Sequence, residues 1–147
     1  MDRNEAMSAL GAIDGAQAAL ARAANCPPWR HAAFGGTMAT IMLAGGIEPP
    51  LSFALLAAAF ASIALIVVSD RRRMGMFING YRKGATRPLT FVMLGTMLVI
   101  AWAEFHAREA GLSIGTRLAL AALAGLIATA MSVAWQRIFR REMGLAA

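Results

Sequence analysis

Four long apolar stretches dominate the chain, and short polar or proline-containing breaks separate them. They lie at residues 29–47, 51–69, 89–106 and 114–135. Each contains about 18–22 residues, and a helix needs about 20 to cross a hydrocarbon layer about 30 Å thick. Strand-like alternation of apolar and polar positions is absent from the sequence, which argues against a transmembrane barrel. The pattern therefore predicts an all-α integral membrane protein with four transmembrane helices in two helical hairpins.

The segment before the first apolar stretch has the pattern of a separate helix. Asp2 and Glu5 have the spacing of a capping box, and the pair Pro27-Pro28 would end a helix over residues 3–24. Apolar residues recur along it at Met7, Leu10, Ile13 and Leu20. We therefore expect two parts: an N-terminal amphipathic helix with its Pro-Pro break, residues 1–28, and a transmembrane domain, residues 29–147. The helix is expected to lie at the cytoplasmic interface of the membrane or against a partner.

The composition favours a membrane location. Apolar residues make up 59% of the chain and charged residues only 15%, which is more apolar material than a soluble domain of this length contains. The single cysteine, Cys26, excludes an internal disulfide and a metal cluster built on cysteines. We expect no cleaved secretory signal, because the N-terminal segment opens with charged residues and lacks a compact apolar run.

Positive charge is divided unevenly between the two sides of the predicted helices. Cytoplasmic loops retain Lys and Arg, so the richer side is assigned to the cytoplasm. Twelve of the fourteen basic residues fall on the side that holds both termini and the loop at 70–88, and only Arg108 and Arg117 fall on the other. We therefore predict cytoplasmic N- and C-termini. Thirteen of the fourteen are Arg, a usage that indicates a GC-rich bacterial genome and hence a bacterial inner membrane.

The loop at residues 70–88 holds most of the net charge of +6 and is the first candidate binding site. Between its two basic clusters lies the apolar insert MGMFINGY, which orientation in a membrane does not require. The residues predicted to contact a partner or lipid are Arg71, Arg72, Arg73, Phe77, Tyr81, Arg82, Lys83 and Arg87. In the simpler interpretation, these residues only orient the protein, with the arginines among lipid phosphates.

The charge of this loop limits the kinds of partner that it fits. Each Lys or Arg near an anionic surface contributes about 1 kcal/mol, so the loop suits anionic membrane lipid or an acidic protein in the membrane or cytoplasm. Nucleic acid is disfavoured, because Phe77 and Tyr81 are the only aromatic residues of the loop that could stack on bases.

The third apolar stretch ends in AWAEFHAREAG, which places ionisable groups next to the membrane. Glu104, His106 and Glu109 form a candidate ion or proton site, because carboxylate and imidazole groups carry protons and bind cations. Glu104 and His106 differ by about 200° around a helix, so they could share an ion only with the help of another span. In the simpler interpretation, Glu104 pairs with Arg108 and Trp102 contacts His106 at an interfacial helix end.

Two further polar residues are assigned to the membrane surface. His31 follows Trp29 and Arg30 at the cytoplasmic edge of the first stretch, where aromatic and basic residues are expected. Glu48 is expected to stand alone in the turn between the first two stretches. Neither residue is predicted to have a binding role.

No catalytic signature occurs in the sequence. A hydrolase elbow, a phosphate-binding glycine loop and a zinc-protease helix motif are all absent. Two histidines, one cysteine and one tyrosine leave few groups for acid-base or nucleophilic catalysis. We therefore expect no enzyme activity, no cofactor and no metal.

Small residues at four-residue spacing favour close helix packing, and two such rows lie on the fourth stretch. The first stretch carries Ala32, Gly36, Thr40 and Ala44, and the fourth carries Ala121, Gly125, Thr129 and, on another face, Ala124, Ala128, Ser132. Two rows exceed what a single four-helix bundle requires. We therefore expect one of them to contact a second copy of the chain.

Two functions from different classes remain open on the sequence. The first is a small non-catalytic anchor, assembly subunit or regulator that binds its partner through the N-terminal helix and the basic loop. The alternative is a small homo-oligomeric channel, holin-like pore or transporter. A pore requires a polar stripe along at least one span, and the mid-span hydroxyl residues are scattered, so the sequence favours the first function.

Overall fold

The computed structural model describes residue 5, residues 7–13, residue 15, residues 26–74 and residues 84–142, without the side chains of residues 73 and 74. All regular secondary structure in these parts of the chain is helical. The helices of the bundle are α1 (Pro28–Gly46), α2 (Leu51–Met74), α3 (Thr86–Glu109) and α4 (Ile114–Glu142). The described residues between 5 and 15 are also helical, in agreement with the predicted N-terminal helix, and the rest of that helix lies outside the description.

Proline or glycine residues lie at several of the helix ends. Pro28 occupies the first turn of α1, where its missing N–H leaves no hydrogen bond unmade. Pro88 lies in the first turn of α3 for the same reason. After α3, Gly111 has a φ of +64°, a left-handed conformation that glycine adopts without steric penalty.

Three of the four bundle helices are long and apolar enough to cross a membrane: Leu51–Arg72 in α2, Thr86–Glu109 in α3 and Ile114–Glu142 in α4. Three of the four predicted spans are thus supported, and the fourth, α1, is not among them and stays a prediction. Helix α1 has 19 residues, and Trp29, Arg30 and His31 occupy its first turn, so the apolar run that remains is short. It packs against α2, α3 and α4, so much of its surface meets protein rather than lipid and has less need of apolar side chains.

The predicted loop at 70–88 is shorter than its sequence suggested. Helix α2 continues to Met74 and α3 begins at Thr86, so Asp70, Arg71–Arg73 and Arg87 are helical. Arginines in the last turn of a helix interact favourably with its partial negative charge, which explains why α2 extends beyond its apolar stretch. Residues 75–83 lie outside the description.

The core of the bundle lies where α1, α3 and α4 meet. Its buried apolar residues are Met42 from α1, Met97 and Ile100 from α3, and Ala121, Ala124 and Ala128 from α4. Residues from both small-residue rows of α4 are therefore buried within this one chain. Both rows therefore have packing partners within the chain, and the contact with a second copy stays a prediction.

Close packing of α1 on α4 depends on glycine, but not on the row predicted for α1. Gly35 of α1 faces the backbone of Gly125, and Ala39 approaches Gly125 in turn. Gly36, from the predicted row, is exposed and has open space around it. The prediction of the small-residue face was thus correct for α4, whereas in α1 Ala44 of the predicted row is buried and Gly36 is not.

The outer surface of the bundle is strongly apolar. Helix α2 packs mainly against α1 and exposes Leu51, Phe53, Phe60, Leu65 and Val68. Exposed apolar side chains of this size are consistent with contact to lipid and hence with a membrane location.

Candidate functional sites at the two ends of the bundle

The bundle has two chemically different ends. The arginine-rich end comprises the start of α1, the end of α2, the start of α3 and the end of α4. The hairpin end comprises the opposite termini, where short turns connect α1 to α2 and α3 to α4. Candidate functional side chains lie at both ends.

A buried ion pair joins α1 to α2 at the arginine-rich end. Arg30 Nε donates to Asp70 Oδ1 at 2.8 Å and to Oδ2 at 2.9 Å, and its Nη2 donates to Oδ2 at 2.6 Å. Asp70 is only 2% exposed. Arg30 also interacts with the Cys26 side chain. Asp70 therefore neutralises Arg30 inside the bundle and contributes little to the charge of the surface.

His31 is buried, and the prediction that it is an interface residue is wrong. Its Nε2 lies 2.6 Å from Gln136 Oε1, and its Nδ1 lies 2.8 Å from Ser132 Oγ. Because an amide oxygen only accepts, Nε2 donates to Gln136, and Nδ1 shares a hydrogen bond with the Ser132 hydroxyl, which can donate or accept. One helical turn separates the two partners on α4, so a single imidazole fastens the start of α1 to α4. The ring is therefore occupied structurally and has no nitrogen left for a ligand.

An open cleft of about 430 Å³ lies between the start of α1 and the end of α4. Its lining residues are Cys26, Pro28, His31, Thr129, Val133, Gln136, Arg137 and Arg140. Arg137 and Arg140 lie one turn apart and give the cleft a cationic wall. Its chemistry suits an anionic group.

The arginines predicted to bind a partner are placed only in part. Arg71, Arg72 and Arg87 are exposed at the arginine-rich end, and the Arg87 guanidinium lies 5.7 Å from the centre of the Phe91 ring. The Arg73 side chain and the predicted residues Phe77, Tyr81, Arg82 and Lys83 lie outside the described residues. Sequence analysis did not include the exposed Arg137 and Arg141 of α4 in the site, although they were counted on the same side of the membrane.

The hairpin end contains a buried carboxylate without a hydrogen-bond partner. Glu104 of α3 is 1% exposed, and neither of its oxygens has a hydrogen-bond partner among the described residues. The Glu104–Arg108 pair expected from the sequence is wrong. Arg108 instead binds Glu48, with Nη2 at 2.6 Å and Nε at 2.8 Å from Oε1. Glu48, expected to stand alone, is therefore paired.

Arg117 of α4 is the charged neighbour of Glu104. Its Nη1 donates to the carbonyl oxygen of Gly46 at 2.7 Å, while its buried Nε has no partner among the described residues. Gly46 also contacts the carboxylate: a methyl group at this position would lie 2.7 Å from Glu104 Oε2 and 3.5 Å from Arg117 Cδ. Glu104, Arg117 and Gly46 thus come from three helices and meet at one point.

The other predicted ion-site residues are not part of this cluster. His106 is exposed and contacts Trp102, as predicted, with ring centres 4.1 Å apart and the ring planes tilted by 37°. Its Nδ1 lies 3.0 Å from the Trp102 carbonyl oxygen. Glu109 is also exposed. The prediction that Glu104 and His106 face opposite sides of the helix is confirmed.

The residues that sequence reasoning missed are those that pair across helices. Arg117 and Gly46 are 71 residues apart, and His31 is more than 100 residues from its partners. The only sequence signal for them was an ionisable residue inside or beside an apolar stretch. Among the described residues no cluster of three or more His, Cys, Asp or Glu could hold a metal. Comparison with protein-family models, curated proteins and solved structures finds no match to this chain.

Proposed function

We propose that this chain is a non-catalytic membrane protein that binds an acidic cytoplasmic protein through its arginine-rich end and its N-terminal helix. In this proposal α1 crosses a bacterial inner membrane at the centre of the bundle, surrounded by α2, α3 and α4. Both termini and the arginine-rich end face the cytoplasm. The chain would serve as an anchor, assembly subunit or regulator of its partner.

The observation that carries the proposal is the position of the exposed arginines. All exposed arginine side chains among the described residues lie at the arginine-rich end: Arg71, Arg72, Arg87, Arg137 and Arg141. At the hairpin end, Arg108 is paired with Glu48 and Arg117 donates to Gly46. A concentration of exposed positive charge at the arginine-rich end supports a cytoplasmic orientation of that end. It also offers an acidic partner several charges at once.

The N-terminal helix favours a protein over a lipid surface as the partner. Met7, Leu10 and Ile13 are each more than half exposed, so no described part of the chain covers this apolar row. A helix that binds anionic lipid carries Lys and Arg on its polar face. Residues 1–25 instead contain three acidic and two basic residues. An apolar row on a nearly neutral helix fits a groove on another protein.

The hydroxyl groups that a pore would need are used within the helices. Thr40, Thr96 and Thr129 donate to carbonyl oxygens four residues earlier in the chain. Thr37 donates to Ala33 and lies 2.7 Å from Ser62 of α2. These contacts favour a packed bundle, so the proposal adopts the docking function rather than the homo-oligomeric pore.

The test is purification from the native host in gentle detergent, with two matched triple variants. One replaces Arg71, Arg72 and Arg87 by Gln, and the control replaces the same residues by Lys, which preserves their charge. At about 1 kcal/mol for each charge, the Gln variant should bind the partner roughly 100-fold more weakly, and the Lys variant should bind it normally. Nine basic residues against two remain in the Gln variant, so its orientation should persist, which a reporter fused to the C-terminus checks.

Two results would contradict the proposal. Equal recovery of the partner with the Gln and Lys variants would exclude the arginines from binding. Recovery of no partner, together with binding to vesicles that requires anionic lipid, would assign the arginine-rich end to the lipid surface.

Replacement of Met7 and Leu10 by Glu should abolish partner recovery as well, because it removes the apolar row.

A further inference from the structure

We propose that Glu104 is a reversible proton-binding site at the hairpin end and that Arg117 is the switchable partner of its carboxylate. This inference is independent of the proposed function, since it concerns the opposite end of the bundle. It begins from the burial of Glu104, which at 1% exposure is one of the least exposed side chains of the described residues.

An ionised Glu104 in the observed arrangement is energetically unfavourable. Removing a carboxylate from water costs many kcal/mol unless hydrogen bonds and an opposite charge compensate. Neither oxygen of Glu104 has a hydrogen-bond partner among the described residues, and Arg117 directs Nη1 to the Gly46 carbonyl instead. The arrangement therefore corresponds to a Glu104 that is neutral, with a proton on its carboxyl group.

A proton fits this position better than a metal cation does. Hard cations such as Ca²⁺ take 6–8 oxygen ligands, and Mg²⁺ requires an octahedral set. Here one carboxylate is present, and the adjacent Gly46 carbonyl already accepts from Arg117. The guanidinium charge would also repel a second cation. A proton needs one oxygen and no coordination shell.

Arg117 can stabilise the ionised form after the proton leaves. Its buried Nε is a donor without a described partner, and the Glu104 oxygens are acceptors without one. Both side chains lie against Gly46, so a change of rotamer at Arg117 could bring donor and acceptor together. In that step the O–H bond of Glu104 breaks, the proton passes to water at the hairpin end, and Arg117 exchanges the Gly46 carbonyl for the carboxylate.

Few charged residues lie near Glu104 among the described residues. Helix α1 has no ionisable residue between 32 and 46, and Arg117 is the charged residue that faces the site from α4. On α3 itself, His106 and Glu109 are exposed. Arg108 is paired with Glu48 from the turn after α1. Arg117 is therefore the group that can respond to ionisation of Glu104.

Infrared difference spectroscopy of the purified protein as a function of pH tests the inference. A protonated carboxyl group gives a C=O band distinct from that of a carboxylate. We expect the wild type to show a buried-carboxyl band that disappears reversibly as the pH rises. Glu104→Gln should lack the band, and Glu109→Gln, which changes an exposed glutamate on the same helix, should retain it. Arg117→Met should retain the band over the range in which the wild type loses it.

Two outcomes overturn the inference. A wild-type spectrum without a titrating buried-carboxyl band would mean that Glu104 keeps one protonation state at all pH values and is not a reversible proton-binding site. A band that persists unchanged in Glu104→Gln would belong to another residue. Circular dichroism and thermal unfolding show whether each variant is folded. If Glu104→Gln does not fold, the spectra of Arg117→Met and the wild type are compared instead.

Discussion

A buried carboxylate lies at each end of the bundle, and an arginine from another helix lies beside each of them. Asp70, 2% exposed, receives three hydrogen bonds from Arg30. Glu104, 1% exposed, receives none from Arg117, which donates to the Gly46 carbonyl. The two carboxyl groups are buried to a similar extent, but only Asp70 forms an ion pair among the described residues.

The direction of α1 explains the difference. Arg30 lies in the first turn of α1, where the unsatisfied backbone groups are N–H donors that an arginine cannot bind. Its guanidinium is therefore directed to Asp70. Arg117 lies beside the last residue of α1, where backbone carbonyls lack helical partners and compete for it. The comparison shows that the free backbone groups at a helix terminus can determine whether an arginine beside them pairs with a neighbouring carboxylate.

The largest expected effect comes from replacing each of the two carboxyl groups with an amide of the same shape. Asp70→Asn should lower the free energy of unfolding by about 3 kcal/mol, the low end for a broken buried pair, because Arg30 remains 28% exposed. Glu104→Gln should change it by less than about 1 kcal/mol, because no described ion pair is lost. Reversible unfolding in mixed micelles measures both. Equal losses would show that Glu104 is paired in the same way as Asp70.

A second test compares the packing of α1 toward its two ends. Gly35→Ala would place a methyl group 2.5 Å from the Gly125 carbonyl oxygen and against Thr129. Because the backbone cannot yield easily, the protein should lose about 2 kcal/mol of stability. Gly46→Ala meets the movable end of Glu104 at 2.7 Å and should cost less. Gly36→Ala is the control: with open space around it, it should stabilise by about 0.5 kcal/mol. The same micelle unfolding assay ranks the three, and a loss at Gly36 as large as that at Gly35 would contradict the packing.

The smallest expected effects distinguish the two histidines. His31→Leu removes both contacts to α4 and should lower stability by about 1 kcal/mol, because Ser132 loses a hydrogen bond in a partly buried place. His106→Leu, at the exposed hairpin end, should have an effect near zero. Thermal midpoints of the two variants give the comparison. A larger loss for His106 would reverse the roles assigned to the two ends.

The helices themselves were largely predictable from sequence. Residues 29–47, 51–69, 89–106 and 114–135 correspond closely to α1–α4, because long apolar runs and proline or glycine breaks act locally. The errors occurred where charged residues extend a helix beyond its apolar part, as in Arg71–Arg73 of α2. Apolarity marks the part that meets lipid or core, whereas a helix continues as long as its backbone hydrogen bonds do.

The candidate sites were less predictable than the helices. Sequence identified Glu104 as a residue of interest, yet it assigned the wrong partner, since Arg108 is one turn away along the chain whereas Arg117 comes from α4. It also placed His31 at an interface, because an imidazole next to Trp29 and Arg30 has the same local pattern whether it is buried or exposed. In both cases the deciding contact comes from a distant part of the chain.

The sequence by itself determined the all-helical architecture, the concentration of arginine at one end of the bundle and the scarcity of catalytic groups. These properties depend on composition and on periodicity along a few turns. Only the tertiary structure decided that α1 is the central helix, that Asp70 is paired and that Glu104 is not. Those outcomes depend on which side chains from different helices meet at the same buried point. The sequence around each residue does not specify its neighbours from other helices.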